Sequence, residues 1–181
     1  MGELILGINP RIMQSAYVIL DDWNITHAET IPNDKLLDGL RTGTLFQQGQ
    51  PSLIGIVEPE GWSTFEMVLW IGRALETLES QGYHVELIGW RAVKLHLCHS
   101  AEVKDTNVRQ ALIDLFGGER AVGGKKCPRC KGKGWYGRGR SVCQECTGSG
   151  WRIPPGPLYN LRSDMWSALA VAVTVREKRD R

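Results

Sequence analysis

Nowhere in the 181 residues does an uninterrupted apolar run approach the roughly 18 residues of a membrane span. The first residues show no basic stretch leading into an apolar one, so the pattern of a secretory signal is missing too. These two absences set aside a membrane protein and an exported one, and a cytoplasmic location is expected. There is no low-complexity tract and no internal repeat in the bulk of the chain, which sets aside a biased tail and a repeat array. The length leaves no room for two full domains; it suffices for one sizeable core and a small appendage. Acid is scarce in one place: between residues 125 and 152, Glu145 is the only carboxylate.

That segment instead holds Lys125, Lys126, Arg129, Lys131, Lys133, Arg138, Arg140 and Arg152, a net +7, so the remainder of a chain totalling +2 carries −5. Charge divided in this way suits a protein that holds a polyanion with one part and metal ions with another. A solvated basic surface without a partner is the plainer reading. With 42% hydrophobic and 23% charged residues, the chain as a whole is ordinary for a globular protein.

The apolar pattern predicts strands at 4–8, 16–20 and 25–31, separated by polar turns, and hence an antiparallel meander. A short helix is expected at 33–41, and a buried strand at 53–57 ends at Glu58. Between residues 63 and 80, Phe65, Val68, Leu69, Gly72, Leu75 and Leu78 fall at helical spacing, and Gly82 closes the helix. "YHVELIGW" reads as a strand that residues 93–97 could extend. Val108, Ala111, Leu112, Leu115 and Phe116 make one helical stripe, with Thr106 available as cap and Gly117-Gly118 as terminator. A last helix from about Leu161 to Arg176 has Leu161, Met165, Ala168, Leu169 and Ala172 on its buried face. This order implies an α/β fold: a mixed five-stranded sheet flanked by helices. Residues 1–123 and 154–181 form its core, and residues 124–153 are a small insertion.

In the insertion "CPRCKGKGW" is echoed by "CQECTGSGW", with twelve residues between Cys130 and Cys143. Cys127, Cys130, Cys143 and Cys146 can thus bring four sulfurs to a tetrahedron of about 2.3 Å zinc–sulfur bonds, and the glycines permit tight turns. Thiolates are soft ligands and all four positions are filled, so one structural zinc is expected rather than a catalytic ion or a redox pair. The segment resembles the zinc repeats of the DnaJ family, in two copies only, which implies a zinc ribbon and nothing about chaperone activity. Lys131, Lys133, Arg138 and Arg140, interleaved with Trp135, Tyr136 and Trp151, could track phosphates and pack on a nucleic acid. Alternatively, zinc and aromatics substitute for the core that so short a segment lacks. Cys98 reads as a small buried residue.

Three oxygen-bearing residues stand out elsewhere. Asn9 ends the first strand, Glu58 ends an apolar strand where a buried carboxylate needs a partner or a cation, and Asp164 opens the final helix. If strands one and four are neighbours, the three could converge at one sheet edge as a weakened site for magnesium or manganese.

"ILGINPRIMQSAYVIL", "IGIVEP", "CHSAEVKDTNVRQAL" and "SDMWSALAVAVT" stand in the order found in the RuvC-like Holliday junction resolvases of the RNase H-like superfamily, and the chain resembles that family over most of residues 3–123 and 157–176. The resemblance implies an RNase H-like fold and a homodimer. It also implies a magnesium-dependent endonuclease that cuts four-way DNA junctions in pairs, leaving 5′ phosphates, with catalytic and metal-binding roles at positions 9, 58 and 164. It places Trp62 where the family has an aromatic that can enter the junction, although a helix-start residue packed on the core is the plainer reading. Lys94, Lys104 and Arg109 could contact phosphates, or each be a solvated charge.

Two departures matter. Asn9 stands where the family has Asp, and Ser167 stands where it has a second acid one turn beyond Asp164. His99, Glu60 or Asp105 could compensate, or be ordinary loop residues. Asn9 keeps the shape of Asp but removes a negative charge, so cleavage is expected to be lost or weakened; an Asn that merely starts a turn before Pro10 is the simpler possibility. The basic insertion suggests a phage-encoded or otherwise divergent member. The rivals are a catalytically inert branched-DNA-binding zinc protein and an RNase H-like nuclease on other branched or hybrid substrates.

Overall fold

A computed structural model describes residues 3–46, 49–59, 64–136 and 141–180. The polypeptide divides into two compact units, residues 1–111 with 161–181, and residues 112–160.

The first unit is built on a five-stranded sheet in the order β3-β2-β1-β4-β5. β1 (Leu4–Asn9), β2 (Gln14–Asp21) and β3 (Asn24–Pro32) form the antiparallel meander. β4 (Leu53–Glu58) runs parallel beside β1, with Gly7 opposite Gly55 and Ile8 opposite Ile56, and β5 (Val85–Gly89) runs parallel beside β4. Strands one and four are therefore neighbours. β1 is nearly continuously apolar because it is central and covered on both faces.

On one face lie α1 (Asn33–Thr42) and α2 (Phe65–Glu79). Leu36, Leu40, Trp70, Ile71 and Leu78 pack there on Leu6, Ile8, Ile54 and Ile56. The other face is crossed by α6 (Met165–Arg179), which packs on β1, β4 and β2. Glycine permits that close crossing. A Cβ at Gly7 would collide with the Ala168 carbonyl, and one at Gly55 with Val171 and Val175.

The structure corrects three expectations. Residues 93–97 do not extend a strand: α3 (Trp90–Cys98) is a helix, with Gly89 in extended conformation at its start and His99 left-handed at its end. The spacing of Trp90, Val93 and Leu97 suits a helix, and Val93 is wholly buried. In α2 the core takes Trp70, Ile71, Ala74 and Leu78, while Phe65, Val68 and Leu69 are 78%, 50% and 51% exposed. Both stripes have helical period and share Leu78. The one carrying Trp70 faces inward, and the Trp70 indole donates to the Asn33 carbonyl at 3.2 Å. Finally, α6 starts after Asp164 and is buried from Ala168 through Val175 on all sides, as expected of a helix apolar all round. Its one hydroxyl there, Thr174, is satisfied by the Ala170 carbonyl at 2.7 Å. Among the described residues, no helix is long and apolar enough to cross a membrane.

α4 (Asp105–Leu115) begins in the first unit. The second unit contains α5 (Glu119–Val122) and two two-stranded ribbons. β6 (Lys125–Lys126) pairs with β9 (Trp151–Ile153), and β7 (Trp135–Tyr136) pairs with β8 (Ser141–Val142). Its neck is stitched by Leu158 N–H to the Ala121 carbonyl at 2.8 Å and Gly124 N–H to the Pro154 carbonyl at 3.2 Å.

Candidate active site and metal centre

Asn9 is 5% exposed at the end of β1. Side chains alternate along a strand, so Asn9 shares the α6 face with Gly7. Its amide nitrogen donates to the Asp164 carbonyl at 3.4 Å. Asp164 in turn accepts from Arg11, Nη2 at 2.7 Å and Nε at 3.1 Å, both on Oδ1. The turn that presents Arg11 is held by buried Asn33, whose amide donates to the Arg11 and Ile12 carbonyls at 2.8 and 3.0 Å while accepting from Ser15 at 2.7 Å.

The structure thus brings Asn9 and Asp164 together although 155 positions separate them. Glu58 lies at the same end of the sheet, its backbone in register with Gly89 and its side chain exposed. Continuing the parallel register puts its Cα about 6 Å from that of Asn9. Its parity is that of Ile54 and Ile56, so its side chain leaves the sheet on the α1/α2 face, opposite the one that carries Asn9.

All three offer hard oxygen donors, the chemistry that magnesium or manganese takes. The guanidinium on Asp164 shows that the position already accepts a cation. The donor chemistry suits a divalent ion, but Arg11 occupies Asp164 and only Asn9 and Asp164 are in contact, so the three do not form a closed ligand set. Ser167 adds a hydroxyl at most.

Beside Asp164 opens a cleft of ≈ 300 Å³ whose lining includes Arg11, Trp90, Asp105, Arg109, Trp166 and Ser167. Arg109 stacks over the Trp166 ring, 4.5 Å from its centroid. Asp105 is held by the Trp90 indole at 2.8 Å and by Lys94 at 3.1 Å. The indole hydrogen bond, together with Lys94 and the positive field of Arg11, holds its carboxyl below the usual range. Lys94, 18% exposed, is thus engaged by Asp105, whereas Lys104 and His99 are exposed. Trp62, Glu60, Arg138 and Arg140 lie outside the described residues. Arg11, Asn33, Trp90 and Trp166 were not singled out from the sequence. The Arg11–Asp164 pair spans 153 positions, and no local spacing signals it.

In the second unit, Cys127, Cys130, Cys143 and Cys146 are buried, and their sulfurs all lie within 4.8 Å of one another. Cys127 and Cys143 Sγ are 3.9 Å apart, Cys130 and Cys146 Sγ 3.6 Å. A tetrahedron of zinc–sulfur bonds near 2.3 Å has edges of about 3.8 Å, whereas a disulfide needs about 2.05 Å. The cluster fits zinc. Burial pushes the Cys130 thiol up, but the Gly134 amide on its sulfur at 3.3 Å, with further donors, outweighs this and brings it to about 7. The Cys127 thiol goes the other way, to about 11: backbone donors lower it, but burial and the sulfur contacts with Cys130 and Cys143 outweigh them.

No protein-family model matches the chain, and a search of curated proteins found no match. Among solved structures, Thermus thermophilus RuvC superposes with a TM-score of 0.60 at 14% identity, over 94% of this chain and 92% of that one. T. thermophilus RuvC in complex with a Holliday junction substrate gives 0.57 at 15% identity, over 98% and 96%. The chain has the RuvC fold along nearly its whole length.

Proposed function

We propose that this protein is a structure-selective endonuclease of the Holliday-junction-resolving type whose metal site is weakened by Asn9. One observation carries the reading: in a chain with the RuvC fold, the Asn9 amide at the end of β1 sits against the residue that opens α6, with Glu58 closing the adjacent strand. Asn9, Glu58 and Asp164 would hold divalent magnesium, which when bound supplies charge stabilisation for phosphodiester hydrolysis. The chain's own residues position and orient. Asn9 ties the start of α6 to the sheet, Asn33 fixes the turn bearing Arg11, and Arg11 can move from Asp164 to a phosphate. Branched DNA is the partner this reading implies.

A second reading, a branched-DNA binder that does not cut, is favoured by the charge of the site. Asn9 is neutral and Arg11 already neutralises Asp164. Asn9→Asp separates the two: magnesium-dependent nicking of a four-way junction supports the nuclease, and tight junction binding without nicking supports the binder.

The exposed stripe Phe65, Val68 and Leu69 on α2 supports a homodimer, since a contiguous apolar face on a helix is a common interface signature. Leu69→Asp is expected to convert the dimer to monomer in sedimentation, and unchanged mass would remove this part of the proposal.

A further inference from the structure

The zinc unit is two-fold repetitive in conformation but not in charge. Shifting the chain by sixteen positions maps Cys127 on Cys143, Cys130 on Cys146, Gly132 on Gly148, Gly134 on Gly150 and Trp135 on Trp151. The backbone obeys the same shift: φ is 52° at Lys131 and 49° at Thr147, 88° at both Gly132 and Gly148, and 78° and 77° at Gly134 and Gly150. Hydrogen bonds are exchanged reciprocally, Cys127 N–H to the Gly150 carbonyl and Cys143 N–H to the Gly134 carbonyl, each 2.9 Å. Even the clashes match, since a Cβ at Gly134 would strike the Gly148 carbonyl and one at Gly150 the Gly132 carbonyl.

Function is where the halves part. Arg129, Lys131 and Lys133 of the first knuckle correspond to Glu145, Thr147 and Ser149 of the second. All six are exposed; of the second set Ser149 braces its knuckle, its hydroxyl donating to the Cys146 carbonyl at 2.7 Å, but among the described residues no cation at these positions touches a cysteine sulfur. The first knuckle also places its cations on rings: Arg129 lies 4.9 Å from the Tyr136 centroid and Lys133 5.5 Å from that of Trp135. At the position equivalent to Tyr136 the second half has Arg152, and Trp151 is in edge contact with Tyr159. Lys125, flanking the first knuckle, is already paired with Glu119. A fold that needs no charge at these positions keeps three cations on one copy and an acid on the other.

We infer that the first knuckle alone, through Arg129, Lys131 and Lys133 backed by Trp135 and Tyr136, is the docking face for a DNA phosphate backbone, and that the second knuckle is a structural counterpart facing away from it. Cations held over aromatic rings suit DNA, which offers both phosphates and base faces. An acidic peptide would use only the charge. The inference rests on the DNA-binding part of the proposed function.

The test uses the full chain and relocates charge instead of only deleting it. Arg129→Glu, Lys131→Thr and Lys133→Ser give the first knuckle the residues of the second. A further protein adds Glu145→Arg, Thr147→Lys and Ser149→Lys, restoring the original net charge on the wrong knuckle. Zinc content, one per chain in each, verifies the fold. Affinity for a four-way junction and for linear duplex is measured against salt. The first variant is expected to bind both about tenfold or more weakly, with the salt slope reduced by about 3. The relocated variant is expected to remain weak. Recovery on relocation, or no loss in the first variant, overturns the inference; in the second case an acidic peptide becomes the partner to examine. If the native chain prefers junction no more than duplex yet both affinities fall in the variants, the docking face stands and the junction reading fails.

Discussion

The two candidate metal sites are assembled in opposite ways. The cysteine cluster draws four ligands of one kind from a short stretch, buries all of them, and leaves no position open. The sheet-end site draws three unlike residues from three elements, leaves Glu58 exposed, and already balances Asp164 with an arginine. A closed soft-ligand set stabilises a fold; an open hard-ligand set at a sheet margin can exchange a cation and admit a phosphate. On the proposed reading the closed site supports structure and the open one supports chemistry.

The largest effect is expected from breaking the closed site. Cys143→Ser should abolish stoichiometric zinc, because binding at such sites is worth about 10–16 kcal/mol at neutral pH and is coupled to folding. Loss should be confined to residues 112–160: hydrogen exchange would report opening there, while the sheet amides keep their protection. Sheet amides exchanging equally fast would show that the two units are not independent in stability. Mild acid should release zinc by protonating the thiolates.

A smaller effect, on the order of 1–3 kcal/mol, is expected from Asn9→Asp without metal. The substitution removes the N–H donor to the Asp164 carbonyl and sets a carboxylate against that oxygen. Magnesium at millimolar concentration should raise the variant's melting temperature and leave that of the native chain nearly unchanged. Equal shifts in both would show that position 9 does not govern cation binding.

Much of this contrast was legible in the sequence. The cysteine cluster was readable because its ligands are close in the chain and their spacing is the chemistry. Asn9, Glu58 and Asp164 stood at element ends, but that β1 and β4 are neighbours was a condition the sequence left open and the parallel register supplies. What pattern could not supply was the orientation of elements offering two valid faces. In α2 the stripes through Leu69 and through Trp70 fit equally well, and packing of the large indole against Asn33 decides between them. α3 looked like strand because Val93 and Leu95 alternate, yet Leu95 is 57% exposed while Val93 is buried. Arg11 was hidden because its partner is brought in only by the tertiary fold.

Smaller still, Arg11→Gln removes a partly exposed ion pair and should cost about 0–1 kcal/mol, while strengthening magnesium binding by freeing Asp164. Calorimetric titration would check it; weaker binding would mean that Arg11 helps hold the cation's ligands in place. The least effect belongs to Asp105. Its folded pKa is depressed, so its contribution is present above the unfolded value and lost as pH falls through the folded one, below about pH 4. Asp105→Asn should flatten that acid limb of the melting profile slightly, and an identical limb would place the linkage elsewhere.

The most direct test is a nicking assay on a four-way junction with Asn9→Asp, titrated with magnesium and compared with the native chain. Magnesium-dependent symmetrical nicks are expected from the variant, at least about a hundredfold faster than from the native protein, as restoring an electrostatic contact to the transition state would give. A folded, zinc-loaded variant that binds the junction but leaves it intact at every magnesium concentration would contradict the claim that these three side chains form a divalent-cation site.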